Sequence, residues 1–232
     1  MRAFVAALGF LGAALCGFSQ PAPQDLVSTT VTNDRTGQAT VTVHNHGKSD
    51  LVAFLYIYTL HRDPNGGTNY ASTGYYDSLT DPQSAKAIPA GQDFTLPFRV
   101  GGNGFYAKVA VGAGIFADGT TFGERVTLQH IFDRRNFMLV SLKKSIAELQ
   151  QVGEDKLTRE QIIVQFTKEL NEEASLGLDP ELTSCIQQVR GQVLGVLRTT
   201  GRMPDGTPVP VQQTIDSLLL DLKHRRDILS GK

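Results

Sequence analysis

Glutamate is absent from the first 123 residues of this 232-residue chain, and all six tyrosines lie among them. From Glu124 onward, Glu, Lys and Arg interleave with Leu, Ile and Val at spacings of three and four. Glutamate is a good helix former, whereas threonine and tyrosine favour extended backbone. The change therefore predicts an α+β chain: an antiparallel β-sandwich over residues 20–123, then about four helices over 124–232. No Ser- or Pro-rich spacer separates Phe122 and Gly123 from Glu124, so the two halves are expected to dock rather than swing on a linker.

Alternation marks the strands. Val27, Thr29 and Val31 share one face, with Ser28, Thr30 and Thr32 opposite. Ala39, Val41 and Val43 point inward, and Thr40, Thr42 and His44 outward. Leu51 to Leu60 is apolar on both faces, which predicts a central strand covered twice. Its Phe54, Tyr56 and Tyr58 row is expected to meet the helices through Leu128 or Phe132. Phe94, Leu96, Phe98 and Val100 alternate with Thr95, Pro97 and Arg99, where Pro97 favours an edge strand, and Ala107 to Ile115 gives a long inward row. Asp118-Gly119 reads as a hairpin turn. The succession of strand, Asn45-His46-Gly47-Lys48-Ser49-Asp50 turn, apolar strand, long loop and Ile88-Pro89-Ala90-Gly91 resembles the immunoglobulin-like modules of bacterial proteins over Asp25 to Gly123. That resemblance implies a fold and no function.

The second half predicts helices over about 124–151, from Thr158, from Asp179, and from Val211. Thr158-Arg159-Glu160-Gln161 has the form of a capping box, and Asp179-Pro180 that of an N-cap followed by proline in the first turn.

The N-terminus predicts export. Arg2 is followed by an apolar run from Ala3 to Leu15, too short for the roughly 20 residues of a membrane span, and then by Gly17-Phe18-Ser19. Cleavage after Ser19 makes residues 1–19 a signal peptide and places the mature chain outside the cytoplasm, secreted or periplasmic. Lipid anchoring at Cys16 is the lesser expectation, since Leu15 stands where a lipobox has a small residue. Once Cys16 leaves, Cys185 has no partner within the chain, and its place on an apolar helical stripe predicts a buried thiol. A net charge of −1 gives no reason to expect nucleic acid as partner. No cofactor is expected, and the partner class is an envelope or other protein, or a second copy of the chain.

Two sets of residues are candidate sites. His44 and His46 are two apart, so on one strand they share a face and could pinch a metal. With His61 and Asp63 they define a metal-binding or hydrolytic alternative. Export would make copper or zinc the metal, yet two histidines without converging ligands are an incomplete set, so solvent-facing side chains are the main expectation. Tyr70, Tyr75 and Tyr76 lie among Gly, Ser and Asn in the segment Arg62 to Lys86, a composition suited to adaptable binding loops. The main expectation is nonetheless that part of the segment is an ordinary edge strand with its tyrosines packed on the helical half. The best reading is a non-catalytic interaction module, with an architectural protein that self-associates through its helices as a further alternative.

Overall fold

The computed structural model describes residues 23–33, 39–61, 70–80, 86–96, 106–175, 177–199, 201, 203 and 205–231. The expected signal peptide and Cys16, Asp63, and Pro97 to Val100 lie outside them. The strands are β1 (Val27–Asn33), β2 (Ala39–Asn45), β3 (Leu51–His61), β4 (Tyr70–Asp77), β5 (Asp93–Leu96), β6 (Tyr106–Phe116) and β7 (Thr121–Gly123). A single turn, α1 (Pro23–Leu26), precedes them; α2 (Arg125–Glu154), α3 (Arg159–Ser175), α4 (Pro180–Thr199) and α5 (Val211–Leu229) follow. The chain is α+β with a helical C-terminal region. Among the described residues, no helix is long and apolar enough to cross a membrane.

Both sheets are antiparallel, one in the order β1-β2-β5 and the other β4-β3-β6-β7. They meet face to face: Val27, Val41, Val43 and Leu96 from the first pack with Phe54, Tyr76, Val109, Phe116 and Phe122 from the second. The Thr29 hydroxyl crosses the gap to donate to the Val109 carbonyl at 2.6 Å. At one end Asn45, 1 % exposed, donates to the carbonyls of Ser49, Ile88 and Pro89 and accepts from the Gly47 amide. The turn after β2 is thereby tied to the chain entering β5. The segment containing Tyr70, Tyr75 and Tyr76 is edge strand β4 rather than loop, paired with β3 from Leu60↔Tyr70 to Ala53↔Asp77.

Gly123 joins the halves. Its φ is +96°, and a Cβ there would stand 2.3 Å from the Gly112 carbonyl oxygen, so the chain leaves the sheet through a conformation that side-chain-bearing residues avoid. Helix α2 then runs for 30 residues, about 45 Å at 1.5 Å per residue. Its first turns lie on the outer face of the four-stranded sheet, where Ile131 and Leu128 pack on Ala53, Leu55, Ala113 and Ile115. The docking expectation holds, but the two faces of β3 are exchanged relative to the sequence reading. Phe54, Tyr56 and Tyr58 fill the gap between the sheets, and Phe132 is 40 % exposed. The physical reason is clearance: rings fill the roughly 10 Å between stacked sheets, whereas a helix seats on a face kept low by alanines.

Further along, Met138, Leu142, Ile146, Leu149 and Val152 of α2 join a second core with Ile162 and Phe166 of α3, Cys185, Val189 and Val193 of α4, and Ile215, Leu218 and Leu222 of α5. Local signals set the helix starts as expected. The Thr158 hydroxyl accepts from the Gln161 amide, and Gln161 Oε1 accepts from the Thr158 amide. Asp179 Oδ1 accepts from the amides of Glu181 and Leu182.

Three arginines fasten the helices to the sheets. Arg135 grips Asp77, at the end of β4, with Nε to Oδ2 at 2.7 Å and Nη2 to Oδ1 at 3.1 Å. Arg134 lies over the Tyr75 ring, 5.0 Å from its centroid, while pairing with Glu181 and donating to Gln188 on α4. Arg225 of α5, 2 % exposed, donates to the Thr80 carbonyl at 3.0 Å and to Gln192 at 2.7 Å. Removing one member of a buried pair strands the other charge, at a cost of about 3–5 kcal/mol. Asp77→Ala should therefore lower the unfolding free energy in urea by roughly 3 kcal/mol or more, since Asp77 also accepts from the Leu79 amide. A loss typical of an exposed pair, under about 1 kcal/mol, would show that the joint does not rest on this contact.

Candidate functional site

Pairing register decides what the outer face of the three-stranded sheet presents. Ser28 stands opposite His44, Thr30 opposite Thr42, and Thr32 opposite Thr40; on the other side His44 meets Asp93 and Thr42 meets Thr95. Because side chains alternate between faces, all of these and His46 stand on the side away from the core. The result is a flat polar surface of hydroxyls, two imidazoles and a carboxylate. Valine and phenylalanine beneath it hold its strands in place.

The imidazoles are ordered within it. Asp93 Oδ1 lies 2.7 Å from His44 Nδ1, and Thr30 Oγ1 lies 2.7 Å from His44 Nε2. A carboxylate only accepts, so Nδ1 carries the proton, and in the neutral ring Nε2 accepts from the Thr30 hydroxyl. Ser28 Oγ reaches His46 Nε2 at the same 2.7 Å, and the two rings lie nearly parallel with centroids 6.2 Å apart. The Asp93–His44–Thr30 chain has the connectivity of orienter, base and nucleophile. The strands that carry it offer no converging donors for an oxyanion. Backbone N–H groups of a strand point sideways in the plane of the sheet, so no pair of them converges above the Thr30 hydroxyl.

His44 and His46 do share a face as the spacing implies, and both Nε2 atoms are held by hydroxyls. His61 does not join them: it is buried at the far end of β3, with Nε2 3.0 Å from the Thr59 hydroxyl. Asp63 lies outside the described residues, among which no group of three or more His, Cys, Asp or Glu is arranged to hold a metal ion.

The three tyrosines of β4 face different environments. Tyr70 is 51 % exposed beside Tyr58, and hydrogen bonds from Ser72 and Tyr58 hold its hydroxyl below the usual phenol range. Tyr75 lies under Arg134, and burial raises its hydroxyl. Tyr76 is 6 % exposed and stacks on Phe54, with centroids 4.8 Å apart. Its hydroxyl donates to the Lys86 carbonyl at 2.5 Å and accepts from the Lys86 amide. Burial raises that hydroxyl too. They form no common surface. Cys185 is fully buried on α4 as expected, and burial pushes its thiol up to about 11.

Ser28, Thr30, Thr42, Asp93 and Thr95 belong to this face without having been candidate site residues by sequence. Each strand's outward row was legible, but the neighbour across the sheet depends on register, which no local pattern in β5 specifies. No family model, curated protein or solved structure matches the chain.

The imidazoles sit on a surface and make replaceable contacts. Two such substitutions cost up to about 1 kcal/mol together, so His44→Ala/His46→Ala should keep the thermal midpoint within about 4 °C of the parent. Dialysed parent protein should retain no stoichiometric copper or zinc by elemental analysis. A larger drop in midpoint would show that the imidazole hydrogen bonds matter to the fold, and one bound metal per chain, lost in the double variant, would make this a metal site.

Proposed function

We propose that the chain is a non-catalytic interaction module acting outside the cytoplasm, secreted or periplasmic, after removal of residues 1–19. In this reading residues 20–123 form an immunoglobulin-like sandwich domain and residues 124–232 a helical domain. The strand order supports the sandwich reading, since β1-β2-β5 opposite β4-β3-β6-β7 corresponds to A-B-E opposite C′-C-F-G in the immunoglobulin alphabet. The observation that carries the functional reading is the ordered polar face. Apart from Ser28 its hydroxyls stand on threonines, whose β-branched side chains have restricted rotamers, and its imidazoles are already oriented. A partner meeting this face orders little that is not ordered already, which lowers the entropic cost of binding. The apolar stripes of the four long helices are buried within the chain's own core, and this weakens the architectural reading, in which those stripes pair between copies.

The Asp93–His44–Thr30 relay favours one second reading, hydrolysis, and both can be tested together. Affinity capture from envelope extracts of the source organism should recover a specific partner. Thr42→Arg, which plants a long cation in the middle of the face, should weaken that capture about tenfold or more, the effect of roughly 1.4 kcal/mol. Val164→Glu, on the exposed side of α3, should leave it unchanged. Equal capture by Thr42→Arg and parent would remove the face from the account. Ester turnover that disappears in both His44→Ala and Thr30→Ala would replace the binding module with a hydrolase.

A further inference from the structure

Arg190 is, with Arg225, one of the two largest fully buried side chains of the helical half, and three glutamates converge on it. Its Nη2 donates to Glu148 Oε1 of α2 at 2.6 Å and to Glu173 Oε1 of α3 at 3.2 Å, and Nη1 donates to Glu169 Oε2 of α3 at 2.7 Å. Its guanidinium also lies 5.6 Å from the centre of the Phe166 ring, which closes one side. Lys144, one turn before Glu148, pairs with Glu173. The cluster thus holds three carboxylates against two cations, and it is one positive charge short.

Two oxygens mark the shortage. Glu148 Oε2 and Glu173 Oε2 are buried and accept no hydrogen bond; Glu173 Oε2 lies 3.0 Å from Arg190 Nε without the alignment of one. A buried carboxylate oxygen left unsatisfied is costly, and the cost falls if the oxygen is protonated. No group of three or more side chains among the described residues is arranged for a metal ion, so the cation that fits here is a proton.

We propose that the Arg190 cluster is a proton-binding site at Glu148, which ties α2, α3 and α4 together in its protonated form and loosens them when the proton leaves. The charged groups facing Glu148 are Lys144 on its own helix, Glu169 and Glu173 on α3, and Arg190 on α4. Burial is the largest influence on its carboxyl. Glu169 and Glu173 add to it, Arg190 and Lys144 oppose it, and the balance pushes the carboxyl up from 4.5 to about 7. The sign follows from linkage: a folded chain that holds a proton the unfolded chain has released is favoured by acid. This contribution is complete below about 4.5 and is lost as the pH rises through about 7. It runs opposite to the usual carboxylate, whose folded-state pKa is depressed.

The test reads the carboxyl directly and its consequence separately. In the parent chain carrying ¹³C-labelled glutamate, one side-chain carboxyl should titrate with a midpoint near 7. Its resonance should be missing from Glu148→Gln. Between pH 5 and about 7 the parent's thermal midpoint should fall relative to that of Glu148→Gln, whose amide stays neutral throughout, and from about 7 to 8.5 the difference should level off. His44, His46, His61, His130 and His224 are common to both chains, so their titration drops out of the difference. If Glu148→Gln fails to fold, the titration is read in the parent together with amide exchange in α2 and α3, expected to be faster at pH 8 than at pH 6 after correction for intrinsic rates. Titration of every glutamate below about pH 5.5 overturns the proposal. So does a pH-independent difference between the two midpoints, or, where the variant does not fold, equal corrected exchange at the two pH values.

Discussion

The ion pair between Asp77 and Arg135 stands where the two cores of this protein meet, and the rest of the architecture depends on how α2 is held there. Helix α2 is shared. Leu128 and Ile131 close the outer face of the four-stranded sheet, and from Met138 onward the same helix is a wall of the helical core. Its direction is set at one end by Gly123, whose backbone takes a conformation other residues avoid, and fixed ten or so residues later by the bidentate grip on Asp77. Arg134 and Arg225 repeat the device on either side. A joint made of guanidinium groups is directional where an apolar joint is tolerant, since a fork must meet its carboxylate or carbonyl in one geometry.

The division into sheet and helix was legible because it rests on composition and period, which are local. Capping at Thr158 and Asp179 was legible for the same reason: each side chain bonds an amide two or three residues away. The faces of β3 were not. Both of its sides are apolar, so alternation tells that it is covered twice and not by what. The deciding factor is the low profile of Ala53 and Ala113 beneath α2, a relation between strands and a helix far apart in sequence. Asp93 shows the same limit at the candidate site. Nothing near it in sequence announces that it will orient His44, 49 residues away. Arg190 and its glutamates look like ordinary helix-surface charges until three helices are brought together.

The fold separates two uses of charge and polarity. On the outer sheet face, hydroxyls and imidazoles are fixed by neighbours yet open to solvent, an arrangement suited to recognition. Inside the helical half, charge is buried around Arg190 with one cation too few, an arrangement suited to responding to protons. The joint at Asp77 lies between them. A change in the packing of α2 against α3 and α4 therefore has a structural route to the sheet through Arg134 and Arg135, one turn or so from residues in both cores.

Packed on both cores through α2, sheets and helices should unfold as one cooperative body. Differential scanning calorimetry of the chain lacking residues 1–19 tests it most directly. A single transition is expected, its calorimetric enthalpy equal to its van't Hoff enthalpy, because neither core can open without exposing its share of α2. Two resolved transitions, one carrying the far-ultraviolet helical signal and the other following later with the sheets intact between them, would contradict it.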